Sequence, residues 1–206
     1  MNNKTQEVID SATDMASQVG DFLVDSVCDN EIIQRIPVVG TVISLFKFGK
    51  SISDSIFLYK LKMFIDNLDS VDESWKDRFS NENECRQIAR EVVYVVNSTI
   101  DERKIKIFSI IFCKYVNGVI SREEFHNSYD ILNKANYDLL LQITRLEERK
   151  EYSFMDISGD IKLAYYHWIS LGLMEQTSTL TEFGNRYILS KYGFFFKSIL
   201  SGERIS

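Results

Sequence analysis

The side chains with most scope for chemistry are few. His126 and His167 are the only histidines, and neither stands in an HExxH pattern that would set two metal ligands on one helix face. Ser109 and Cys113 precede His126 closely enough in sequence to suggest a base-assisted nucleophile, but no G-x-S-x-G elbow presents either one. Gly49-Lys50-Ser51 matches the end of a phosphate-binding loop, yet Ser44 stands where that loop needs its first glycine. Glu123 and Glu124 could be read as an acid–base pair. Ser121-Arg122-Glu123-Glu124 explains them better as a capping box, in which serine and glutamate satisfy each other's backbone amides.

Cys28, Cys85 and Cys113 are odd in number and far apart, which suits free thiols in a reducing compartment and neither a disulfide framework nor a zinc site. The expectation is a chain with no catalytic residue, no metal and no cofactor, acting by binding, assembly or membrane contact. A net charge of −6 argues against nucleic acid as the main partner, since phosphate neutralisation needs clustered Lys and Arg. Residues 1–29 lack the basic start and unbroken apolar run of a signal peptide, so a cytoplasmic location is expected.

With one proline and nine glycines in 206 residues, the chain has few of the breakers a many-stranded sheet needs, and a mainly α fold follows. Apolar residues at three- and four-residue steps predict a helix over 5–28; its other face is acidic, and residues 1–30 carry one lysine against six carboxylates, a net of −5. Ile36 to Phe46 is an uncharged run of 11 residues between Arg35 and Lys47. That is well short of the roughly 20 a helix needs to cross a bilayer. With five basic against three acidic residues, positions 31–66 carry +2, so the acidic first helix suits the basic region after it.

Further helices are expected over 51–66, over 84–96, from Asp101 to an end at Asn117-Gly118, over 122–134, after the cap Asn136, and over 157–171 with a stop at Gly172. Val92 to Val96 is β-prone but has no strand nearby to pair with, so a buried helix end is preferred. A short hairpin at 177–180 then leads, through Thr181 to Asn185, into a last helix carrying Tyr187, Ile188 and Leu189 toward Phe194-Phe195-Phe196. The charged run 145–151 marks the boundary between a helical domain, 1–150, and a small unit, 151–206.

Two stretches resemble known families. Residues 157–187, with Leu171-Gly172-Leu173 followed by Leu180-Thr181 and Gly184, resemble the end of a winged-helix domain. The resemblance implies a helical bundle with a C-terminal winged-helix-like unit. Lys162, Arg186, Lys191 and Lys197 are balanced there by Asp156, Asp160, Glu175 and Glu182, so a protein-binding role is favoured over a DNA-binding one. Trp168, Leu171, Phe194, Phe195 and Phe196 are the candidate partner-binding residues.

Ile36-Pro-Val-Val-Gly-Thr41 through Phe64, followed by Val116 to Phe125, looks like small helical proteins of bacteria and prophages, some linked to phage defence. That likeness implies a sensor and effector that meets a protein trigger, phage-encoded in such systems, self-associates and disturbs the inner membrane. Its candidate membrane and oligomer residues are Ile36, Val38, Val39, Val42, Ile43, Leu45, Phe46, Lys47, Phe48 and Lys50, an apolar surface edged with lysines. The competing expectation for so short an apolar run is plain burial in the core. The winged-helix resemblance carries the alternative of a transcriptional regulator or protein-binding adaptor.

Overall fold

In a computed structural model, residues 40–41, 55–68, 82–159, 161–181 and 184–202 are described. The candidate membrane residues from Ile36 to Lys50 lie outside this set, as does the expected helix over 5–28. The described chain is mainly helical, with seven α-helices and a single two-stranded sheet. It divides into two compact units, one running to Ser121 and one from Arg122.

The first unit contains α1 (Ser55–Asp66), α2 (Glu82–Ser98) and α3 (Arg103–Val116). In α2, Cys85, Ile88, Ala89, Val92, Val95 and Val96 are buried, the spacing of one helix face. Val92 to Val96 is therefore helical despite its β-branched run, because that face has a core to fill. Phe64 of α1 packs against Phe108 and Phe112 of α3, with ring centroids 5.4 and 5.3 Å apart. The hydroxyl of Ser109 bonds the carbonyls of Ile105 and Phe64, tying α3 to the end of α1. Gly118 takes φ of 78° just past α3, the left-handed turn that Asn117-Gly118 announces.

The second unit comprises α4 (Arg122–Lys134), α5 (Tyr137–Leu141), a 3₁₀ turn (Gln142–Arg145), α6 (Lys162–Ser170), β1 (Met174–Thr181), β2 (Gly184–Leu189) and α7 (Lys191–Ser201). Asn136 caps α5 as expected, its side-chain oxygen accepting from the amides of Asp138 and Leu139. Leu140, Ile143 and Leu146 are buried, and the 3₁₀ turn packs on α7 and α6. The compact units thus divide after Ser121, and α5 and the 3₁₀ turn share their core with α6 and α7.

Residues 185–189 form a strand where a helix was expected. β1 and β2 pair antiparallel, Met174 opposite Leu189 and Gln176 opposite Tyr187, with an irregularity between Gln176 and Leu180. Tyr187 also exchanges both backbone hydrogen bonds with Tyr152, at 2.8 and 2.9 Å. Pairing on two sides outweighs the local helical pattern. The last helix starts only at Lys191, where extended Ser190 accepts from the Gly193 amide and donates to the Gly172 carbonyl.

Candidate functional site

The helix α6 organises the second unit. Ala164, Tyr165 and Trp168 point inward and are buried. The Trp168 indole donates to the carbonyl of Leu139 at 2.9 Å, and the Tyr165 hydroxyl donates to that of Tyr152 at 3.1 Å. Burial, reinforced by neighbouring Tyr187, pushes the Tyr165 phenol up to about 12, so it remains a donor at any physiological pH. His167 accepts from the Asn136 amide at 2.9 Å through Nε2, which requires that nitrogen to be unprotonated.

The opposite face of α6 carries exposed apolar side chains. Leu163 is 69% exposed and Tyr166 57%, three residues apart on one stripe. Beside them a turn presents Phe154 and Met155, the latter 72% exposed. This turn is built: Asp156 accepts from the amide and hydroxyl of Ser153, both at 2.8 Å. Those two bonds, the backbone one first, hold the Asp156 carboxyl below the usual carboxylate range. The Phe154 and Tyr166 rings lie 5.3 Å apart, and the Lys162 ammonium sits 4.4 Å from the Phe154 centroid. The result is an ordered apolar patch on helix and turn, with one cation resting on an aromatic face.

A cleft of about 410 Å³ lies elsewhere in the same unit, between α4, the end of α6 and the start of α7. Asn127, Asp130, Lys134, Leu171 and Tyr192 line it, and the Asn127 amide donates to the Tyr192 hydroxyl at 2.8 Å. Its walls mix polar and apolar groups and present no nucleophile bonded to a base. Lys191 pairs with Glu124 on α4, and this hydrogen bond raises the ammonium above its ordinary value.

These positions divide the partner-binding candidates. Trp168 and Phe196 are fully buried and must be corrected from surface to core; an indole tied to Leu139 cannot dock a partner. Leu171 lines the cleft, and Phe194 and Phe195 are half-buried on α7. Among the described residues of this unit the most exposed large apolar ones, Met155, Leu163 and Tyr166, were not among the candidates. The stripe Leu163–Tyr166 lies opposite Ala164, Tyr165 and Trp168 and could have been found by asking which apolar residues are left over once one helix face is filled.

The groups considered for catalysis are engaged otherwise. Ser109 is fully buried with its hydroxyl bonded to two carbonyls, Cys85 and Cys113 are buried and in no disulfide among the described residues, and Arg122 approaches His126 Nε2 at 3.4 Å. Among the described residues no three His, Cys, Asp or Glu side chains gather as a metal site, and no helix is long and apolar enough to cross a membrane. Comparison with protein-family models, curated proteins and solved structures gives no match to this chain.

Proposed function

We propose that this protein is a non-enzymatic adaptor whose C-terminal unit, arranged in the manner of a winged helix, binds a protein partner through the outer face of α6. The order of elements supports the winged-helix reading: helices, a bridged segment at Tyr152, α6, then a hairpin whose second strand pairs with that segment. The observation that carries the choice of partner is the chemistry of α6. A helix that reads DNA presents Lys, Arg, Asn or Gln to bases and phosphates. Here the exposed stripe is Leu163 and Tyr166, flanked by Phe154 and Met155, residue types that serve protein interfaces.

The test is site-specific photocrosslinking from position 163 in the full chain, identification of the adduct, and reconstitution with the purified partner. Tyr166→Ala should abolish the reconstituted complex. Duplex DNA binding that weakens steeply with salt and survives Tyr166→Ala would refute the adaptor reading and favour the regulator.

A second reading, the phage-defence effector that assembles on a trigger and disturbs the inner membrane, is favoured by the lysine-edged apolar sequence from Ile36 to Lys50. Ile56 and Tyr59 extend an exposed apolar surface along α1, while Phe57, Leu61, Phe64 and Ile65 commit its other face to the core. Dye release from anionic liposomes, lost in Val39→Asp or Ile43→Asp variants that still fold, is the expected result; absence of release with the trigger present refutes it.

A further inference from the structure

The patch on α6 also carries information about the charge of what covers it. Lys162 is half-buried, its ammonium lies on the Phe154 ring, and among the described residues no carboxylate pairs with it. By contrast Lys150, Arg186, Lys191 and Lys197 of the same unit are each paired with a glutamate. A cation placed among exposed Phe154, Met155, Leu163 and Tyr166 loses water when that surface is covered. Loss of hydration is unfavourable unless the covering surface supplies an opposite charge. The aromatic face alone offsets only part of it.

Resting on the adaptor reading, we infer that the partner of this surface is an acidic amphipathic protein segment, which seats apolar side chains on Leu163, Tyr166 and Met155 and brings a carboxylate to Lys162. Helix is the conformation that best fits the surface. Leu163 and Tyr166 form a short ridge along α6, and the side-chain rows of a second helix can lie beside such a ridge. The alternative that aromatic rings plus lysine would suit, stacked bases of single-stranded nucleic acid, also calls for a groove of cations tracking the backbone. Of the described basic side chains of this unit, Lys150, Arg186, Lys191 and Lys197 are already paired with glutamates and so do not form such a groove.

The experiment measures fluorescence anisotropy with the full chain and two labelled synthetic helical peptides. Both carry the same leucines at helical spacing, one flanked by glutamates and the other by lysines; labelled oligo-dT is a third probe. The expected result is a preference of about tenfold or more for the glutamate peptide, the size of a single well-placed charge contact. Lys162→Glu should reverse the preference, and Leu163→Ala with Tyr166→Ala should remove binding of both peptides while the circular dichroism spectrum is unchanged.

Equal affinity for the two peptides, or a preference indifferent to Lys162→Glu, overturns the acidic partner while leaving the adaptor reading to its own crosslinking test. Tighter binding of oligo-dT, or displacement of both peptides by self-association at working concentration, also overturns it.

Discussion

The hydroxyl of Tyr165 reaches across to the main-chain oxygen of Tyr152, the same oxygen that accepts the Tyr187 amide. One carbonyl thus gathers α6, β2 and the segment leading into the exposed turn. Tyr165→Phe keeps the packed ring and removes only the donor. Since the Tyr187 amide still satisfies the carbonyl, the cost should be about 1 kcal/mol, read by denaturant midpoint at unchanged slope.

Core and surface on α6 separate cleanly by mutation. Trp168→Ala should cost roughly 3–5 kcal/mol, since it opens a cavity and leaves the Leu139 carbonyl without its donor. Tyr166→Ala should change stability by about 0.5 kcal/mol or less while removing partner binding. Comparable losses of thermal stability in the two variants would place Tyr166 in the core and end the docking argument.

Gly193 tests the seating of α7. A Cβ built there would lie 2.1 Å from the Leu173 carbonyl oxygen, which is backbone and cannot rotate away. Gly193→Ala should therefore destabilise by about 1–3 kcal/mol, the usual cost of overpacking, although alanine is the better helix former. Ser190→Ala, which removes the cap on the same helix, should cost about 1 kcal/mol, with the two losses non-additive because the sites adjoin.

Acid should loosen the turn that carries Phe154 and Met155. Asp156 is held below its ordinary value, so its contribution is fully present above the unfolded carboxyl value and is lost as pH falls through the lower folded one. Hydrogen exchange at the Ser153 amide should rise over that acidic window relative to distant amides, beyond the intrinsic pH trend. Asp156→Asn should show the fast exchange already at neutral pH.

Much of the helical framework was legible because each helix buries one periodic stripe. The expected helices over 84–96 and 122–134 correspond to α2 and α4, the described part of the one over 51–66 is α1, and Asn136, Gly118 and Gly172 cap or stop the chain where their chemistry places them. The strand over 185–189 was not legible. Tyr187 and Ile188 can serve a helix or a strand, and the deciding partner, Tyr152, is a single bridged residue far away in sequence. The charged run 145–151 announces solvent, whereas the compact units dividing after Ser121 are defined by which helices share a core. Aromatic content drew attention to Trp168 and Phe196, but large rings are as apt to fill a core as to dock a partner, and only packing shows which.

Tyr152 has one more effect. By covering β2 on the side away from β1, it leaves β1 as the open border of the sheet among the described residues, and that border carries Glu175 and Gln176 and is broken by the irregularity before Leu180. A short, charged, kinked border is a poor template for another chain's backbone. Crowded copies of this protein should therefore resist fibre-like growth from the hairpin, even while a sticky side-chain surface stays available on α6.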